Sequence, residues 1–173
     1  WFSSPCVMGI LNVTPDSFSD GGRHQDAESA RGRFAQIASE GAAICDVGAE
    51  STRPGADAVA PDEQLRRLEP LFAAMDQGAP VAVSIDTSSA GVAERAIDHG
   101  AVLVNDVTAG RGDPGIFDLV ADRGCAVSLM HMRGEPRTMQ VAPEYDDVVA
   151  EVRAMLAERI EAAVRAGIDR TRS

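Results

Sequence analysis

The order of apolar and amphipathic segments predicts an α/β fold: a (β/α)8 TIM barrel of which about the first five βα units are present in the 173-residue chain. Three observations carry this. Short apolar runs alternate five times with longer segments of helical period. The runs are apolar on both faces, as parallel strands covered by crossover helices must be. Every run also ends in side chains capable of chemistry: Asn12, then Glu50 to Arg53, Asp86, Asn105 and His131. Polar groups at each strand end describe the mouth of a barrel, whereas a doubly wound sheet, which would also suit the length, concentrates them at one switch point. Eight units need about 250 residues, so five units are about five-eighths of a barrel.

The first strand is expected from Cys6 to Leu11, and the first helix from Asp26, its cap, to Glu40, with Ala30, Phe34, Ile37 and Ala38 as its apolar stripe and Gly41 as its stop. Ala43 to Val47 reads as the second strand. Its helix begins near Pro61, buries Leu65, Leu68, Phe72 and Met75, and carries Pro70 as an expected kink. The third strand spans Val81 to Ile85, and Ser88 or Ser89 caps a helix bearing Val92, Ala96 and Ile97 as far as Gly100. The fourth, Val102 to Val104, ends in Asn105-Asp106, and a glycine-rich turn leads to a helix with Ile116, Leu119 and Val120. The fifth covers Ala126 to Met130. A last helix from about Tyr145 to Ala166 presents Val148, Val152, Met155, Ile160 and Ala163 to the core before Gly167.

Met8 to Gly22 is the most telling stretch. It leaves an apolar strand and turns at once into a run of hydroxyls, carboxylates and an amide, which at a strand's carboxyl end is where α/β proteins place their sites. A formal charge of −11, with basic residues scattered rather than striped, argues against nucleic-acid binding. All 16 cationic residues are arginine, so a lysine Schiff base is excluded from this sequence. Cys6, Cys45 and Cys125 are odd in number and far apart, which suits buried free thiols better than disulfides or zinc ligands. No apolar run reaches the roughly 20 residues of a membrane span, and the expected location is cytoplasmic.

The motifs ILNVTPDSFSDGG, DVGAESTRPGA, SIDT, ND and LMHMRGEPRTM, in this order on five successive strand ends, together resemble dihydropteroate synthase. The resemblance implies a partial pterin-binding barrel domain over residues 1–173, with units six to eight outside it. It also implies a folate-pathway transferase, a sulfonamide target, in which 4-aminobenzoate displaces pyrophosphate from a dihydropterin diphosphate. Mg2+ is the implied cofactor, with Asn12 as its protein ligand; such ions keep several waters and take few protein oxygens. Asp86 and Asn105 are similar to the family's pterin-binding residues, and Val107 and Met130 to its apolar walls. Thr52 and Arg53 would meet the diphosphate or order the lid, and Phe18 and Pro54 would sandwich the aminobenzoate ring. Asp20 would orient the first loop or balance the cation formed as pyrophosphate leaves. The full-length protein would be a homodimer binding only small molecules, without nucleic acid or membrane.

The residues alone leave other readings of some of these positions. Asp86 could merely cap the third helix, and Asn12 could shape a turn. His131 reads as structural, and His24 and His99 as solvent-exposed. The strand-six aspartate, the Ser-Arg-Lys segment and the Arg-x-His site of the family are not in the sequence, so the chain alone is not expected to be catalytic. A corrinoid-type pterin methyltransferase and a non-catalytic pterin-binding paralogue are the alternatives.

Overall fold

A computed structural model of the chain describes residues 5–13, 22–50, 58–134 and 143–172, without the side chains of residues 22–26. Five βα units follow one another: β1 (Val7–Asn12), α1 (Gly22–Ser39), β2 (Ala42–Gly48), α2 (Pro61–Met75), β3 (Ala82–Asp86), α3 (Ala90–Asp98), β4 (Leu103–Asp106), α4 (Ile116–Arg123), β5 (Ala126–Leu129) and α5 (Val148–Arg165). A short 3-10 turn, Arg170–Arg172, comes last among the described residues. The strands form one sheet in the order β1-β2-β3-β4-β5, every pair parallel. Strand order that never reverses is the progression of a barrel wall, which removes the doubly wound alternative.

Register and pleat divide the sheet into two faces. Leu11, Val47, Ile85, Val104 and Val127 are register partners across all five strands. All five are buried against the helices, beside Phe34, Leu68, Leu71, Val92, Ile116 and Val120. Side chains alternate along a strand, so the neighbouring positions face the barrel interior. These form layers: Ile10, Asp46, Ser84, Leu103 and Ala126 below, then Asn12, Gly48, Asp86, Asn105 and Ser128 at the carboxyl ends. On the helix side, Gly9 lets α1 approach β1, since a Cβ there would lie 2.5 Å from Ile37 Cγ2.

Several expectations need correction. Strand β4 continues through Asn105 and Asp106, because both residues hold their places in the parallel ladder although neither is apolar. Helix α1 starts at Gly22, which places Asp26 inside it rather than at its cap. Ser89 occupies the N-cap of α3 but its side chain makes no capping bond; Asp113 Oδ2 accepts the Ala90 N–H at 2.8 Å instead. Asp86 therefore is not a helix cap. In α5 only Ala163 is buried, while Val152, Met155 and Ile160 are half-buried and Val148 is 51% exposed, so the described residues cover the expected core stripe only in part.

His99 is not a solvated surface residue. Its Nδ1 lies 2.7 Å from Asp76 Oδ1 and its ring stacks on Phe72 at 4.8 Å, joining the carboxyl ends of α2 and α3. Cys6 is exposed rather than buried; Cys45 is buried and Cys125 half-buried, and all three are free thiols. Burial first, then the charge of Asp46, pushes the Cys45 thiol up to about 12, which leaves it inert.

Gly110 combines a positive φ of 75° with a ring of Phe117 that would lie 2.4 Å from an added Cβ. Gly110→Ala is expected to cost roughly 2–4 kcal/mol through backbone strain and overpacking. Urea denaturation measures it, and a loss below about 0.5 kcal/mol would show that the turn does not need this conformation.

Candidate functional site

The carboxyl ends of the five strands bring the chemistry-bearing residues into one row. Asn12, Gly48, Asp86 and Asn105 are successive register partners, with Ser128 completing the line on β5. A Cβ on Gly48 would meet Asn12 Oδ1 at 3.2 Å and the Asp86 side chain at 3.4 Å. The amide oxygen of Asn12 and the carboxylate of Asp86 thus flank a single glycine, and its missing side chain leaves the space between them free.

Below this row sits Asp46, in the middle of an otherwise apolar strand and only 6% exposed. Asn105 Nδ2 donates to Asp46 Oδ2 at 3.0 Å. That bond leaves the Asn105 carbonyl oxygen available as an acceptor. Asp46 Oδ1, Ser84 Oγ and Asp86 Oδ1 are buried without a hydrogen-bond partner among the described residues. Buried polar atoms are nearly always satisfied, so three such atoms on one face of the sheet mark a place shaped for something polar.

The walls of the site are held by carboxylates bonded to backbone. Asp106 is fully buried and accepts from Thr108 N at 2.8 Å, Thr108 Oγ1 at 2.8 Å and Gly110 N at 2.6 Å. Thr108 Oγ1 in turn accepts from Gly112 N at 2.9 Å. The half-buried Val107 rides on this turn. After β2, Glu50 accepts from Gln64 Nε2 at 2.8 Å and from Val59 N at 3.2 Å, and Thr87 Oγ1 donates to Gln64 Oε1 at 3.2 Å. The ends of β2 and β3 are thereby tied to α2. Arg111 donates to the Met132 carbonyl at 3.0 Å, joining the loops after β4 and β5.

Met130 is half-buried immediately after β5. His131 lies 6.0 Å from the Tyr145 ring, and the Arg133 guanidinium covers that ring at 4.8 Å. Phe18, Asp20, Thr52, Arg53 and Pro54 lie outside the described residues. No group of three or more His, Cys, Asp or Glu among the described residues could hold a metal. Nor is any described helix long and apolar enough to cross a membrane.

Sequence reasoning missed Asp46, Ser84 and Asp106. A carboxylate inside the run Ala43 to Val47 was the available signal for Asp46, since a charge is almost never buried there without a partner.

Electrostatically the site is acidic. Burial, then the charges of Asp46, Glu50 and Asp106, push the Asp86 carboxyl from 3.8 to about 7. Folded protein therefore holds this proton where the unfolded chain has released it, so stability falls as pH rises from about 4 to 7. Asp86→Asn is expected to raise stability by roughly 2 kcal/mol at pH 8, with the gain shrinking towards pH 4. Urea denaturation across this range checks it; a gain that grows on acidification would contradict the sign.

A family model for pterin binding enzymes matches residues 8–172. Dihydropteroate synthase of Escherichia coli K12 is 47% identical over 166 residues, covering 96% of this chain and 58% of that protein. Among solved structures, Yersinia pestis dihydropteroate synthase, in complex with a sulfonamide drug, superposes with a TM-score of 0.85 at 44% identity, over 96% of this chain and 60% of that one. The Xanthomonas albilineans dihydropteroate synthase with 4-aminobenzoic acid gives a TM-score of 0.83 at 50% identity, over 98% and 60% of the two chains. The same enzyme has been solved with 7,8-dihydropteroate. The chain spans about three-fifths of the length of these relatives. On its family match, its parallel βα order and its row of strand-end residues, the chain belongs to the pterin-binding enzyme family.

Proposed function

We propose that the chain forms the pterin-binding part of a dihydropteroate synthase, comprising the first five βα units of its barrel. The observation that carries this is the pairing of Asp86, a half-buried carboxylate at the end of β3, with Asn105 beside it in the same row. An amino-pyrimidine edge offers adjacent donors and an acceptor. Asp86 receives the donors and Asn105, anchored by Asp46, meets the rest. The similarity to enzymes solved with 4-aminobenzoic acid and with dihydropteroate favours this chemistry over methyl transfer.

In the reaction proposed, the amine of 4-aminobenzoate attacks the exocyclic methylene of the dihydropterin as pyrophosphate departs, and the amine loses a proton. The bond broken is conjugated to the pterin ring, so positive charge develops there. The interior-facing acids, Asp46 and Asp86, stabilise it without having to move. No covalent nucleophile from the protein is required. Positioning on a rigid row of strand ends supplies much of the rate, with Val107 and Met130 as walls of the pterin pocket.

Asn12 fits the part of a magnesium ligand. Its amide oxygen is exposed at the mouth beside Gly48, a hard oxygen donor of the kind this ion uses together with substrate phosphates and water. The ion would neutralise the departing pyrophosphate. We assign Thr52 and Arg53 to the diphosphate, Phe18 and Pro54 to the aminobenzoate ring, and Asp20 to loop order.

Titration calorimetry of the chain with a pterin is expected to show binding that Asp86→Ala and Asn105→Ala each weaken by at least about tenfold. Equal affinities in wild type and both variants would reject this assignment of the site. With the pterin methyl diphosphate as ligand, EDTA and Asn12→Ala should reduce affinity, while both leave binding of the unphosphorylated pterin unchanged. If chelation weakens both ligands equally, Asn12 is not where the metal acts.

A further inference from the structure

The chemistry above makes no use of Ser84, yet its setting is unusual. The residue is 0% exposed, and its Oγ has no hydrogen-bond partner among the described residues. It sits on the interior face of β3, paired in register with Asp46 of β2 and two positions before Asp86 on its own strand. Its hydroxyl and the free oxygens of Asp46 and Asp86 therefore occupy adjacent positions on one face, and no bond joins them directly.

The hydrogen-bonding inventory of the three atoms is complementary to one molecule. Two carboxylate oxygens can only accept when ionised, and a hydroxyl has one proton to give. A water has two protons for the carboxylates and a lone pair for the hydroxyl, which makes the three bonds typical of buried water. Its place would be beneath the row formed by Asp86 and Asn105.

We propose that Ser84 is a positioning residue of the pterin site: with Asp46 Oδ1 and Asp86 Oδ1 it holds one buried water that fixes both carboxylates for the ligand. The assignment rests on the reading of this site as pterin-binding. Asp46 is then held from two sides, by Asn105 on Oδ2 and by the water on Oδ1. Asp86 keeps Oδ2 for the ligand and is prevented from rotating.

The test is calorimetry with a pterin on wild type, Ser84→Ala and Ser84→Thr, with Tm measured for each. Removal of the hydroxyl is expected to weaken binding about tenfold with Tm within about 2 °C of wild type, and Thr, which restores it, to recover affinity to within about threefold. An alanine variant that binds as wild type does, with a raised Tm, would overturn the proposal, since the hydroxyl would then be only an unsatisfied buried group. Loss of affinity and Tm together in both variants would also overturn it, by making Ser84 an element of the fold. Failure of the wild type itself to bind would overturn the pterin reading and the Ser84 assignment together, and is distinguished because Asp86→Ala would then not differ from wild type.

Discussion

Parallel register is the constraint on which the site depends. One uninterrupted line of pairing carries Asn12, Gly48, Asp86, Asn105 and Ser128 across five strands, so residues far apart in sequence stand a strand spacing from one another. A one-residue slip of any strand would turn its functional side chain towards the helices and put an apolar residue in the mouth. The buried row Leu11, Val47, Ile85, Val104 and Val127 prevents that slip. Core packing and site geometry are therefore one property of the sheet, enforced from its outer face and expressed on its inner one.

The same arrangement stores unfavourable charge. Asp46, Asp86 and Asp106 lie near one another with little solvent, and the burial that creates a recognition surface raises the proton affinity of Asp86. Asp106 is relieved by three hydrogen bonds from its own turn and Asp46 by Asn105. Asp86 Oδ1 has no such partner among the described residues. Unfavourable charge is thus least relieved at Asp86, the kind of bargain struck at preorganised sites.

The order of elements was legible because periodicity and glycine stops are local: the helix stripe of Phe34 and Ile37, and Gly41 with φ 94°, follow from neighbours in sequence. Asp86 and Asn105 stand at the carboxyl ends of their strands, as the apolar runs before them indicate, whereas Val107 and Met130 rest on the family resemblance. What stayed hidden was non-local. The cap of α3 comes from Asp113, 23 residues away, and His99 finds Asp76 across the same interval. Asp46 and Ser84 acquire meaning only through the register that sets them beside Asp86 and Asn105. Apolar runs also end before hydrogen bonding does, so β4 outlasts Val104. In α5 an apolar stripe was visible, but nothing in a single helix says whether a neighbour will cover it.

The distribution of acids gives the site a direction. Asp46 is buried at its base, Asp86 is half-buried at the rim, and the neutral Asn12 is exposed on the edge strand. A molecule with a donor-rich head and an anionic tail gains on approach only if the head leads; entering tail first, it climbs a repulsive gradient that low dielectric steepens. On the pterin-binding reading proposed above, the site would sort orientation during encounter, before any hydrogen bond has formed.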